Sequence, residues 1–465
     1  MHYHLKSGGV TTCLKQQVHA LQDHCDMLVI TGEKPDGAFP ADTVIIPELA
    51  YSTLYSKPFR VQDVAAAIID AIQTRFKGPC DILHVHNPML AKNKKLLQIL
   101  KALQKRGVCL LLQVHDFAED GRPLSYYNED YPQDCHYSVV NSRDYNILLK
   151  SGLKKEGLHR IFNTVKLPDI DAQSSAKTTD VVYPIRAIRR KNIGEAILLS
   201  LFFKKDDLLA ITLPPNSPGD IESYEGWKVF VADHQLKVEF DRGLKQPFEA
   251  IMYSARYLLT TSITEGFGFT FLEPWLFDKL VWGRKLYDIC TDFEANGVFF
   301  NHMYNELSVP LDWVGSDGFF EKWKRTILNI GRLFDFQIDQ GRIKSAYDTI
   351  TAGGTIDFGL LDETFQKKVI RLLLSEDANR KKMSLLNLPL SRIGKVSNAK
   401  EVIKSNRKAI LRNYSLELYR RKLLSTYEQT AMTVVKQRID KKKLLTEFFD
   451  LKRFSLLKWG DYAAR

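Results

Sequence analysis

What most constrains this chain is a rhythm. In its first third, short apolar runs ("CDMLVITG", "DILHVHN", "GVCLLLQVHDF", "CHYSVVNS") alternate with stretches of helical periodicity ("TTCLKQQVHAL", "VQDVAAAIIDAIQ", "KKLLQILKALQKR"). Strand-like and helix-like segments in alternation predict a parallel sheet covered by helices. A second set follows, with "DVVYPIRAI", "DDLLAITL", "WKVFVAD", "LKVEFD", "ARYLLTTSI" and "DKLVWG" as expected strands. The fold class expected is therefore α/β, with two Rossmann-like parallel-sheet domains whose strand ends face a cleft where a ligand binds.

At 465 residues the chain is too long for one ordinary core. We read an N-terminal domain over 1–165 and a linker over 166–180, where "KLPDIDAQSSAKTTD" loses the apolar pattern and collects Pro, Asp, Ser and Thr. A second domain covers 181–315. From there the texture turns helical: an insertion over 316–400, a closing helix over 401–430 built on "NRKAILRNYSLELYRRKLLSTYEQ", and a basic helical tail over 431–465. The glycine turn in "TAGGTIDFGLLDE", 351–363, reads either as a functional loop or as a plain connection.

The net charge of +11 fits an anionic ligand, a nucleic acid or an anionic membrane surface. Much of it is local, since residues 435–465 hold nine Lys or Arg against four Asp or Glu. No run of eighteen apolar residues occurs, and the N-terminus lacks the apolar core of a signal peptide, so a cytoplasmic protein is expected. Six cysteines, Cys13, Cys25, Cys80, Cys109, Cys135 and Cys290, form no CxxC pair and read as reduced packing residues.

Four places look like strand or helix ends that carry chemistry. In "HYHLKSGGVTT", Gly8 and Gly9 precede a helix starting near Val10 or Thr11, which would let a phosphate or sugar approach the backbone; a tight turn is the plain alternative. "LLLQVHDFAEDGRP" ends a buried strand with His115, which a polar run follows directly, whereas His84, His86 and His136 read as structural histidines. "YPIRAIRRKNIGEAI" sets Arg186, Arg189, Arg190 and Lys191 between a strand and a helix, where basic groups can clamp a diphosphate; Arg189 and Arg190 read as solvated. Last, "TSITEGFGFTFLEPW" puts Glu265 and Glu273 either side of a turn containing Gly266 and Gly268, with an apolar helix expected after it. Free amides there suit a phosphate, and the carboxylates suit sugar or ribose hydroxyls; the alternative is a helix start with Glu265 near its positive end.

In this order, glycine loop, strand-end histidine, Arg with Lys five residues later, then Glu-x7-Glu, the motifs resemble the family 4 glycosyltransferases, retaining enzymes of the GT-B fold. The resemblance covers roughly residues 1–310 and again "ILRNYSLELYRRKLLSTY", which is similar to the family's closing helix that crosses back to the first domain. It implies that Arg186 and Lys191 hold the donor diphosphate, that Glu265 stands near the transferred sugar and Glu273 at the ribose, and that Gly266, Phe267, Gly268, Phe269 and Thr270 form the amide-presenting turn. His115 then lines the sugar site, and Gly8 and Gly9 cover the diphosphate. Catalysis would rest on His115, Glu265, Arg186 and Lys191.

The implied reaction is transfer of a sugar, with retention and without a metal, from a UDP- or GDP-linked donor to a hydroxyl acceptor, most simply a small polar sugar or sugar acid. No separate cofactor and no nucleic-acid partner are expected. Two alternatives stay open: a non-catalytic binding protein of this fold, and a membrane-surface enzyme acting on a lipid or polysaccharide acceptor, with residues 436–465 against anionic lipid. The sequence departs from the family at the first strand, where "MHYH" leaves four residues before the glycine-loop region, and over 316–400, which is longer and more helical.

Overall fold

The computed structural model describes residues 1–6, 8–55, 57–168, 178 and 180–460. The linker expected over 166–180 therefore lies mostly outside the described residues. The chain divides into two compact units, one made of 1–165 with 413–449, the other of 166–412 with 450–465.

The first unit contains β1 (Val29–Thr31), β2 (Thr43–Ile45), β3 (Leu83–His86), β4 (Leu110–Val114), β5 (His136–Val139) and β6 (Leu158–Arg160). β3 to β6 pair in sequence order and all parallel, and β1 pairs parallel with β2. Residues 1–3 lie between the two sets: His2 bridges Thr31, His2 N–H donates to Ile30 O at 3.1 Å, and His86 N–H donates to Met1 O at 2.9 Å. Few as they are, these residues complete the ladder. β4 is buried along its whole length, as a parallel strand covered on both faces must be. Helix Val61–Phe76 turns Val64, Ala65, Ile68 and Ile72 to this core, the three-to-four spacing of one helical face.

The second unit contains β7 (Val181–Arg186), β8 (Leu209–Leu213), β9 (Val238–Glu239), β10 (Tyr257–Thr260) and β11 (Val281–Gly283), paired all parallel in the order β11-β10-β7-β8-β9. An antiparallel pair, β12 (Ser308–Pro310) with β13 (Thr355–Asp357), stands apart. Most of the helical stretch after 316 packs within this unit.

Three local expectations are corrected. "WKVFVAD" is no strand: it is the second half of helix Pro218–Asp233, whose Tyr224, Trp227 and Phe230 are buried at three-residue spacing. A seven-residue apolar window hides that periodicity. The closing segment is two helices, Ala399–Asn413 and Leu416–Met432, because the Ser415 hydroxyl accepts from Leu418 N–H at 3.3 Å and starts a new helix. In the second of these, Tyr419 and Leu423 pack on Ala20 and Leu21 of the first unit.

The segment 431–465 is not one tail. Along its start, Val435, Gln437 and Ile439 are buried while their neighbours Lys436, Arg438 and Asp440 are exposed. The Gln437 side chain donates to Cys135 O at 2.7 Å and Gly157 O at 3.0 Å and accepts from Lys154 N–H at 2.9 Å. A Cβ on Gly157 would come within 2.3 Å of that amide. Helix Lys441–Phe448 sends Leu444 into the first unit's core, and from 450 onward the chain belongs to the second unit, where Trp323 donates to Phe454 O at 3.0 Å. All six cysteines are free thiols.

Candidate functional site

The chemistry of the second unit gathers where β7 and β10 end. Lys191 and Glu265 form a direct ion pair; both are largely buried. Arg190 joins from the other side, its guanidinium donating to Glu265 Oε2 at 2.9 Å and to Thr264 O at 2.9 Å. Arg190 is thus part of the site and not the solvated residue expected from sequence. Its neighbours gave no signal, because adjacent basic residues look alike until the backbone sets which one turns inward.

The loop that carries these cations is fixed to β7 and to the end of β10 by neutral hydrogen bonds. Ile263 N–H donates to Arg190 O at 2.9 Å, Tyr183 Oη to Lys191 O at 2.7 Å, and Thr261 Oγ1 to Asn192 O at 2.9 Å. Asn192 sits at φ 52°, a left-handed conformation that asparagine tolerates, and starts helix Ile193–Ser200. Burial opposes a charge on Glu265, but Lys191 and Arg190 outweigh it and hold the carboxyl at about 2. Burial pulls Lys191 below the ordinary lysine value, with Glu265 resisting.

After Glu265 the chain turns sharply. Gly268 has φ 88°, and a Cβ there would meet the Phe271 ring at 2.9 Å, so only glycine fits without strain. The long apolar helix expected next is instead a 3-10 turn, Phe269–Phe271, and a four-residue helix, Glu273–Leu276. Pro274 takes the second position of that helix, and Asp278 at φ 55° ends it early. The amides of Gly268, Phe269 and Thr270 make no backbone hydrogen bond, and the Thr270 hydroxyl is buried with no partner. Phe267 is buried and stacks edge-on with Phe269 and Phe293. Glu273 is half-buried; burial pushes its carboxyl up to about 7, with Lys191 opposing. The two glutamates of the motif are therefore held in opposite directions. Arg186 does not join them: it ends β7, and its guanidinium donates to Pro214 O at 3.0 Å.

Beneath this surface lies a second ion network that sequence reading missed. Arg284 forms two-pronged bonds to Glu195 (2.9 and 2.6 Å) and to Asp357 (2.8 and 2.7 Å), and Tyr304 donates to Glu195 Oε1 at 2.6 Å. Asn192 donates to Glu195 Oε2 at 2.7 Å, which ties the network to the cationic loop. Asp357 comes from the glycine-turn segment 351–363, so that segment anchors Arg284. No signal in the sequence links Glu195, Arg284 and Asp357.

In the first unit, His115 follows β4. Its backbone N–H and that of Asp116 donate to Asn87 Oδ1 at 3.1 and 2.9 Å, Asn87 itself lying at φ 58° after β3. The His115 ring lies 3.0 Å from His86 Nδ1 through Nε2, and Asp116 pairs with Arg122 at 2.9 Å. Burial lowers His115 to about 4, with Asp116 opposing, so the ring is neutral at pH 7. His86, read from sequence as structural, is its direct partner. Gly8 is the N-cap of helix Gly9–Leu21 in an extended conformation, and a Cβ on Gly9 would meet nothing within 4 Å. Nothing in the folded chain demands glycine at position 9. Among the described residues, no group of three or more His, Cys, Asp or Glu side chains could hold a metal ion, and no helix is long and apolar enough to cross a membrane.

No protein-family model matches the chain. It is 27% identical over 336 residues to the mannosylglucosyl-3-phosphoglycerate synthase of Petrotoga mobilis, a match covering 63% of this chain and 65% of that protein. Among solved structures it is similar to a glycosyltransferase from Rickettsia africae (TM-score 0.53, 13% identity, 93% of this chain and 97% of that one). It is also similar to Anabaena HepE in complex with UDP and glucose (TM-score 0.53, 10% identity, 92% and 98%) and to the sucrose-phosphate synthase of Thermosynechococcus elongatus (TM-score 0.51, 13% identity, 92% and 94%). The fold is accordingly the α/β GT-B fold of those structures, with a helical C-terminal region.

Proposed function

We propose that this protein is a retaining glycosyltransferase that moves a sugar from a nucleotide-diphosphate donor to a hydroxyl of a small polar sugar or sugar acid. The observation that carries the reading is the end of β10, where Lys191 and Arg190 flank Glu265 and three amides and the Thr270 hydroxyl lack partners. Unpaired donors beside buried cations suit an oxyanion ligand, and the half-buried Glu273 suits the hydroxyls of a ribose. The similarity to a synthase named for a phosphoglycerate glycoside supports a sugar-acid acceptor.

When a glycosyl phosphate bond breaks, negative charge grows on the leaving diphosphate and positive charge on the sugar, as in glycoside hydrolysis. Lys191, Arg190 and the turn amides meet the first charge, and Glu265, which stays ionised well below neutral pH, meets the second. We assign His115 to the same reaction as a neutral hydrogen-bonding group, since its ring is uncharged at pH 7 and keeps one N–H donor and one acceptor nitrogen. The cationic groups take the part a divalent metal plays for other diphosphates, so turnover is expected to survive EDTA.

Thermal-shift measurement against UDP, GDP and their sugars tests the donor class. A donor at a hundred times its Kd adds about 2.7 kcal/mol of stability. Product analysis by NMR with a sugar-acid acceptor then reads the anomeric configuration. Failure of every nucleotide and nucleotide sugar to shift the transition would end the reading, and an inverted product would end the claim of retention.

A further inference from the structure

The positive charge that composition places in the C-terminal tail has a second concentration, and there three exposed leucines accompany it within four residues of one another. Residues 379–408 hold nine Lys or Arg against one Glu. Within them Leu385 is 81% exposed, Leu388 69% and Leu386 42%. Helix Asp377–Leu386 puts Lys381 one turn before Leu385 and Lys382 one turn before Leu386, so each exposed leucine has a lysine beside it on the same face. Arg392 closes the 3-10 turn Leu388–Arg392 that follows, four residues beyond Leu388 and exposed. The acids nearby are Glu376 and Asp377 at the far end of the helix, and Asp312, which Lys382 reaches at 4.0 Å. In the 431–465 segment the exposed large apolar side chains among the described residues are Met432 and Val434 at its start, and none is exposed over 435–460, where its lysines cluster.

We propose that this face of the second unit, Lys381, Lys382, Leu385, Leu386, Leu388 and Arg392, docks the protein on an anionic lipid bilayer. Leucines with water around them gain by entering the boundary between headgroups and acyl chains, and the flanking cations gain from the negative surface potential there. A polyanion such as RNA would satisfy the lysines and leave the leucines in water, so the pairing of the two favours lipid. The loop that carries Leu388 and Arg392 continues as one wall of a cavity of about 100 Å³ that Lys395, Lys204 and Arg256 also line. Asp207, in the same lining, is paired with Arg256, which leaves the two lysines to face an anion such as a headgroup phosphate.

The test is flotation of the full-length protein with vesicles of phosphatidylcholine alone and of phosphatidylcholine with 30% phosphatidylglycerol. Wild type is expected to bind the anionic vesicles at least about tenfold better, and both L385E/L388E and K381E/K382E to lose about tenfold or more of that binding. A K442E/K443E variant, with the same charge change in the 431–465 segment, is expected to bind like wild type. Circular dichroism and melting of each variant separate misfolding from loss of docking, the altered residues being exposed. The proposal falls if anionic lipid gives no preference, or if L385E/L388E binds vesicles as wild type does. It also falls if K442E/K443E is the variant that lets go, or if wild type is a dimer by light scattering and L385E/L388E a monomer, which would make the face a contact between copies. Equal loss of vesicle and poly(U) binding in K381E/K382E, with L385E/L388E unaffected in both, would assign the surface to polyanions and overturn the lipid reading.

Discussion

Glu195 and Glu265 are both buried carboxylates of the second unit paired with cations, and their surroundings differ. Glu195 is fully buried, and Arg284, Tyr304 and Asn192 saturate its oxygens. Glu265 is also nearly buried, at 6% exposure, but the turn after it leaves amides and the Thr270 hydroxyl without partners. A satisfied network keeps a fold in register, because breaking it strands a charge in a place water does not reach. An unsatisfied one is tolerated only where something else completes it. The comparison teaches that paired charge alone does not distinguish the two regions; the run of unpaired amides after Glu265 does.

Arg284→Ala breaks the first region most severely. It leaves Glu195 and Asp357 facing each other without their cation, and a loss of about 3–5 kcal/mol is expected in urea unfolding. A loss under 1 kcal/mol would show that the network is not what holds this unit. Lys191→Ala bears on the second region and should separate the two kinds of damage. Turnover should drop about 10²-fold, equivalent to about 2.7 kcal/mol in the barrier, with a smaller change in melting because Arg190 still covers Glu265. Arg190→Ala is expected to cost less, about tenfold. Rates for both variants equal to wild type would contradict the assignment of the site.

The two glutamates of the Glu-x7-Glu motif sharpen the comparison further, because their pKa shifts have opposite signs. Glu265 lies below its unfolded value of about 4.3, so it contributes stability that is present above that pH and fades as pH falls toward about 2. Glu273 lies above its unfolded value, so it costs stability progressively as pH rises from about 4.3 through about 7. Glu273→Gln is therefore expected to stabilise the protein by about 1–2 kcal/mol at pH 8 and by nothing at pH 4, while raising donor KM about tenfold with kcat little changed. In the wild type, donor KM should climb as pH falls below about 7, since the protonated carboxyl is a poorer acceptor for ribose hydroxyls. A flat KM between pH 5.5 and 8 would remove Glu273 from the donor site.

The smallest effect on stability comes from the first unit. Gly9→Ala adds a Cβ that meets no atom of the described residues within 4 Å, so melting should stay within about 0.5 kcal/mol of wild type. If a ligand approaches the start of helix Gly9–Leu21, its affinity should still drop, read as a higher KM or Kd for the donor. An unchanged donor affinity would leave Gly8 and Gly9 as a plain turn.

Legibility followed distance along the chain. Most strands could be read because burial on both faces demands unbroken apolar runs, and Lys191 and Glu265 could be singled out because each follows such a run. Helix Pro218–Asp233 reads half as a strand, since "WKVFVAD" in isolation carries the same apolar density as a strand and only Tyr224, a turn earlier, reveals the period. Ser415, one hydroxyl, splits what reads as one helix, because capping is a local competition that an average over the window conceals. Arg190 could not be chosen over Arg189 from sequence. The Arg189 guanidinium turns instead toward Gly219 O and Glu363, and the choice rests on the loop that Tyr183 and Thr261 pin.

By itself the sequence determined the two α/β units and the strand ends where chemistry could sit, since apolar burial and turn formation act over a few neighbouring residues. Only the tertiary structure decided which charges meet. Glu195 and Arg284 are 89 residues apart, Arg284 and Asp357 73, and Lys191 and Glu265 74. Coulomb attraction depends on distance through space and on the water excluded between the partners, and neither quantity exists until the sheet has formed.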